Sequence, residues 1–132
     1  MKLENNIIYL KIIGPWNAET FDYYNAELMQ AIKLSGCKIL SGIVVLEGDS
    51  LLIPEVFDRF REATLNRVET GLTNVAFFIQ KSQCPSVIEE QVAMLYKGLT
   101  VNYSFHKTIQ SAVLWLQSLK VNINKERVNE LL

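Results

Sequence analysis

The chain has 132 residues, 49% of them hydrophobic and 20% charged, with 13 basic and 14 acidic side chains. That length suits one domain, and the apolar content excludes disorder as the default state. The near-neutral balance lacks the bulk electrostatic footprint of a nucleic-acid binder, so none is expected as a partner. No stretch approaches the roughly 18–20 apolar residues needed to span a bilayer, so no membrane span is expected. The opening MKLENNIIYLKII is broken by Lys11 and does not read as an export signal, which makes a cytoplasmic protein the expectation. In that compartment Cys37 and Cys84 are expected as free thiols.

Asn6 to Ile13 is apolar and β-branched, the pattern of a strand covered on both faces, and Gly14-Pro15 closes it. Asn17 is placed to cap a helix with Glu19 in its first turn. Phe21, Tyr24, Leu28, Ala31 and Ile32 recur at helical spacing, and Gly36 supplies the stop. Lys38 to Glu47 reads as a second buried strand, in which Gly42 marks a close backbone approach or a bulge. Gly48-Asp49-Ser50 is a turn, and Pro54 suits the first turn of the next helix. Val56, Phe57, Phe60, Ala63, Thr64 and Val68 form that helix's inner stripe. Arg59, Arg61, Glu62 and Arg67 read as its solvated face, and Gly71 ends it.

Asn74 to Gln80 is the third strand. Ser86-Val87-Ile88-Glu89 has capping-box spacing, and Ile88, Val92, Leu95 and Leu99 continue one helical face. Val101 to Phe105 alternates as a strand with one wetter side. Thr108 is placed to cap a helix with the stripe Ile109, Ala112, Val113, Leu116 and Leu119. The expected fold class is α/β, a single domain of βαβαβαβα order with a mostly parallel sheet of four to five strands and packed helices. Residues 1–120 form the domain. Residues 121–132 form an amphipathic tail, helical from Lys125, which packs back on the domain or meets a second copy in a homodimer.

The pieces IIYLKIIGPWNAETF, GIVVLEGDSLLIPEVFDRF, NVAFFIQ and VNYSFHKTIQSAVLWL resemble, in that order, four parts of the STAS fold. These are its opening strand and helix, its central strand with switch loop and helix, its third core strand, and its last strand and helix. The SpoIIAA-like, stand-alone STAS/SEC14-like branch is the most similar, over roughly Ile7 to Leu119. The resemblance implies a sheet with helices packed on it, no catalysis, and a role in protein partnering or small apolar ligand binding. The chain departs from it at the phosphorylatable turn of anti-sigma antagonists. Leu51-Leu52-Ile53-Pro54-Glu55 carries no hydroxyl at the helix start, and Asp49-Ser50 lies earlier in the loop.

In parallel sheets ligands bind beyond the carboxyl ends of strands, at a topological switch point. That rule gathers Gly14 to Asn17, Glu47 to Ser50, Gln80 to Cys84 and His106 to Thr108 on one rim. Trp16, Asn17, Asp49, Ser50, Pro54, Lys81 and His106 are its candidate contact residues for a partner or ligand. Trp16 serves either as a recognition surface or as packing over a helix start, and Asp49-Ser50 either as ligand contacts or as an Asx-type turn. Cys84 and His106, the one histidine, form a nucleophile–base candidate on the same rim, and nothing in the sequence brings them within reach. Glu89 and Glu90 serve the helix N-terminus. No phosphate-binding glycine loop and no zinc spacing occurs, so no catalytic residue, cofactor or metal is expected. The leading expectation is a non-enzymatic STAS-like regulatory or protein-interaction module without the usual switch serine. The alternative is a small apolar-ligand or lipid binder of the SEC14-like kind.

Overall fold

The computed structural model describes residues 1–132. The elements are β1 (Lys2–Glu4), β2 (Ile7–Ile13), α1 (Ala18–Ser35), β3 (Ser41–Glu47), α2 (Pro54–Glu69), β4 (Asn74–Gln80), α3 (Pro85–Tyr96), β5 (Asn102–His106), α4 (Ile109–Ser118) and α5 (Lys125–Asn129). They form an α/β protein with one five-stranded sheet in the order β1-β2-β3-β4-β5. The β2 to β5 strands run parallel, and β1 pairs antiparallel with β2.

Alternation along the strands decides which helices cover which face. Ile8, Ile12, Val44, Leu46, Val75 and Phe77 point to one side, against Phe21 and Leu28 of α1, Val56 of α2, and Ile88, Val92 and Leu95 of α3. Tyr9, Ile43, Val45, Ala76 and Phe78 point to the other, against Ile109, Ala112, Val113 and Leu116 of α4. Three helices therefore lie on one face and the C-terminal segments on the other. Because the strand order never reverses, the sheet has no topological switch point, and the crevice expected there does not form.

The local signals act as their chemistry requires. Asn17 Oδ1 accepts the Thr20 N–H at 2.8 Å, and Thr108 Oγ1 accepts the Ser111 N–H at 3.1 Å. Gly36 ends α1 in the left-handed region, and Pro54 opens α2. At Gly42 the ladder stays in regular register, and a Cβ would stand 2.8 Å from Ile8 Cγ2, so the residue marks a close approach and not a bulge.

Three expectations are corrected. The strand expected from Lys38 begins at Ser41, because the Leu40 backbone turns to bond Asn6 and Thr73. The Ser86–Glu89 capping box does not form. Pro85 already holds the first helical position, so Ser86 falls inside α3, while the preceding Cys84 N–H is met by Ser82 Oγ at 3.0 Å. The face of α2 expected to be solvated is so only in part: Glu62 is exposed and Arg59 keeps 40% of its side chain open, but the arginines also reach across to neighbouring elements. Arg59 pairs with Asp22 of α1 at 2.7 Å, Arg61 donates to the Lys97 carbonyl after α3 at 2.9 Å, and Arg67 donates to Asn25 of α1 at 3.0 Å.

The tail is helical over α5, and it packs back on its own sheet. Ile123, Val128 and Leu131 are buried in the α4-side core. The Asn124 N–H donates to Tyr9 Oη at 2.9 Å, and Arg127 Nε donates to Glu4 Oε2 at 2.8 Å, clamping the tail to β2 and β1. These apolar residues are buried within the chain.

Candidate functional site

The rim at the carboxyl ends of β2, β3 and β4 is built by backbone contact. The Gly14 N–H donates to the Glu47 carbonyl at 2.9 Å, and the Gly48 N–H donates to the Gln80 carbonyl at 3.0 Å, so the loops after the three strands lie side by side. Glu47 is the electrostatic centre. Its Oε1 is 3.2 Å from Lys81 Nζ, 3.6 Å from Lys11 Nζ and 3.1 Å from Gln80 Nε2. The Lys81 contact first, with Lys11 adding to it, holds the Glu47 carboxyl below the usual range. Lys81 is thus a surface partner of Glu47, held in the left-handed region.

Asp49 ties the loop after β3 to the loop after β4. Its Oδ1 accepts the Gln83 N–H at 3.0 Å, the Ser82 hydroxyl at 2.9 Å and the Cys84 thiol at 3.5 Å. Those donors, the Gln83 amide foremost, lower its pKa. Ser50 is buried, and its hydroxyl donates to the Glu47 carbonyl at 3.1 Å, so it closes a turn and offers nothing to solvent.

Trp16 is corrected from the rim to the core. It is buried, with its ring centroid 4.9 Å from Phe60 and 5.5 Å from Tyr24. Asn17 is occupied as the α1 cap, while Pro54 remains exposed at the start of α2. Alongside the exposed polar residues Asn17, Asp49, Lys81 and Gln83, this end of the sheet exposes Ile13, Leu51 and Ile53, with 54%, 37% and 50% of their surface open, and Pro15 and Pro54 near them in sequence.

His106 does not join Cys84. Its Nδ1 is 2.7 Å from Ser111 Oγ, and its ring lies 5.8 Å from Trp115 of α4. Cys84 packs with the core of the opposite face, next to the Asp49 carboxylate, which is the wrong neighbour for a reactive thiolate. The two are separated by the sheet.

The remaining nitrogen of His106, Nε2, is buried without a partner, and burial lowers the imidazole pKa below 6.5. Below about pH 6.5 the unfolded chain therefore binds a proton that the folded chain resists, so stability falls as pH drops toward the folded value. The carboxyls of Glu4, Glu47 and Asp49 are lowered as well, and their contributions are lost only at more acid pH. Urea titrations at pH 7.0 and 5.5 are expected to show this loss in the wild type and little of it in His106→Gln.

Two spaces lie on the three-helix side. One is a groove of about 900 Å³ between α1 and α2, with Asn25, Met29, Lys33, Arg59 and Asn66 among its walls. The other is a cavity of about 90 Å³ between α2, α3 and the sheet, walled by Trp16, Phe60, Phe77, Leu95 and Tyr96 among others. Arg67 lines both. Its place on α2, seven residues after Phe60 and three after Thr64, lies on the inner stripe, and that spacing was the sequence signal for it. No group of three or more His, Cys, Asp or Glu side chains is arranged to hold a metal ion. No helix is long and apolar enough to cross a membrane.

No family model, no curated protein and no solved structure matches the chain.

Proposed function

We propose that this protein is a non-catalytic, STAS-like interaction module that engages a protein partner through the rim at the start of α2. The observation that carries this reading is the exposure of Leu51 and Ile53 before α2 and of Ile13 at the end of β2, on segments tied together through Gly14 and Glu47. An apolar surface held on a rigid backbone frame is the composition of an interface centre, and the polar groups around it are already engaged with one another. The STAS-like pattern of residues 7–119 supports the same role. Ser50 is not a phosphorylation switch in this reading, because its hydroxyl is buried against the Glu47 carbonyl.

The test is affinity capture from a cell extract with wild-type protein and with Leu51→Asp/Ile53→Asp. Both side chains are exposed, so the double variant is expected to stay within about 0.5 kcal/mol of wild-type stability per site. It is expected to lose any partner that the wild type retains. A partner held equally by both proteins overturns the assignment of this surface.

A second reading is favoured by the spaces on the three-helix side: a binder of a small, largely apolar ligand seated between helices and sheet. The cavity walls are aromatic and aliphatic, which is the lining such sites use. Native mass spectrometry of the purified protein, before and after denaturation, tests it through a bound mass that denaturation releases.

A further inference from the structure

The arginines of this chain are treated unequally. Arg59 is paired with Asp22 and Glu55, and Arg127 with Glu4 and Glu130. Arg61 is met by backbone carbonyls at the end of α3. Arg67 forms no ion pair, and its one hydrogen bond is from Nη2 to Asn25 Oδ1 at 3.0 Å. A guanidinium has five N–H donors in a fixed fork, so most of its bonding capacity is unspent. Burial lowers its pKa, and the opposing influence is the hydroxyl of the buried Tyr96. Arg67 is only partly buried, and its unpartnered nitrogens are not sealed in the core, so they are free to meet a ligand in the spaces the residue lines.

The space beside Arg67 has the size and sign to admit an anion. The groove of about 900 Å³ falls in the range of small-molecule sites. Its charged lining is Lys33, Lys38, Arg59 and Arg67 against Asp22 and Glu62, an excess of base in a chain whose formal net charge is -1. Asp22 is already engaged by Arg59. Beyond Arg67 the cavity of about 90 Å³ is apolar and smaller than the ~150 Å³ that admits benzene, so it suits a few carbon atoms and no more.

We propose that Arg67 anchors a small organic carboxylate that lies in the α1–α2 groove with a short apolar end directed toward the cavity. A carboxylate is planar and singly charged, which matches one guanidinium fork in a bidentate pair. A phosphate carries up to two charges, and the further cations here, Lys33 and Lys38, are exposed and hydrated. Asn25 holds the fork from α1, leaving the rest of the guanidinium for the ligand. This inference rests on the ligand-binding reading above and gives that ligand its chemistry.

The experiment titrates ¹⁵N-labelled protein with sodium hexanoate, 1-hexanol and inorganic phosphate. Saturable shifts in α1 and α2 with hexanoate are expected, with hexanol and phosphate weaker by about tenfold or more. Two variants are compared. Arg67→Met removes the anchor. Asn25→Asp places a carboxylate of nearly the same shape beside Arg67, supplying the missing counter-ion from within. Each is expected to weaken hexanoate by about tenfold or more and to raise Tm by about 3 °C.

The rise in Tm separates the proposal from a structural role, for which losing the Arg67 contact would lower it. Equal hexanoate affinity in all three proteins overturns the proposal, as does phosphate binding in preference to hexanoate. Hexanol binding as well as hexanoate overturns it while leaving an apolar-ligand binder. Binding of neither up to roughly 20 mM overturns both.

Discussion

Deleting residues 121–132 is expected to abolish cooperative folding. The segment buries Ile123, Val128 and Leu131 against the α4 face of the sheet. Each such side chain contributes about 1.5–3 kcal/mol when withdrawn from water, so the three together approach the roughly 5–15 kcal/mol that stabilises a whole domain. The deletion also uncovers Tyr9, whose hydroxyl accepts the Asn124 N–H, and strands Glu4, which bonds both Asn124 and Arg127. Far-UV circular dichroism during urea titration is the measurement. A sigmoidal transition is expected for the full chain and a shallow, sloping one for the truncated chain. A truncated protein that keeps a sharp transition within about 2 kcal/mol of the full chain would show the tail to be dispensable.

Gly14→Ala is expected to cost roughly 2–4 kcal/mol, from overpacking together with one strained backbone hydrogen bond. A Cβ at this position stands 2.7 Å from the Asp49 carbonyl oxygen and 2.7 Å from Ser50 Cα. Both are backbone atoms, so no side chain can swing aside. Relief requires parting the turn after β2 from the turn after β3, which strains the bond from the Gly14 N–H to the Glu47 carbonyl. Gly42→Ala meets only the Ile8 side chain and is expected to cost less, about 1–2 kcal/mol. Denaturant midpoints for the two variants test the ranking. Because the Gly14–Glu47 bond also ties the end of β2 to the end of β3, just before the loop that carries Leu51, the same substitution is expected to weaken a partner held by the rim, beyond its effect on stability.

The helix caps and strands were legible because they depend on neighbours in the chain. Asn17 and Thr108 lie three residues from the amides they cap, Gly36 stands at the end of an apolar stripe, and the runs around Ile43 and Phe77 are apolar over a strand's length. β1 was not legible. Three residues are too few to establish alternation, and the strand exists because Lys2 to Glu4 pair with Ile7 to Tyr9. The capping-box reading of Ser86 failed for a related reason, since Asp49, distant in sequence, organises the approach to α3 through Gln83 and Ser82.

The candidate site divides the same way. Composition, periodicity and turn residues by themselves determined an α/β chain of alternating strands and helices with loops converging at one end of a parallel sheet. These follow from local propensity and burial of one face. Tertiary structure alone decided that Trp16 is core, that Ser50 is closed, that Cys84 and His106 lie on opposite sides of the sheet, and that Arg67, placed on the inner stripe by its spacing, meets no counter-ion there. Each outcome turns on which face of an element meets a partner brought from far along the chain, such as Phe60 against Trp16 or Asn25 against Arg67. A one-dimensional pattern places a residue on a stripe, but the charge and space across from that stripe come from other elements, and those set whether a side chain fills a core, pairs an ion or awaits a ligand.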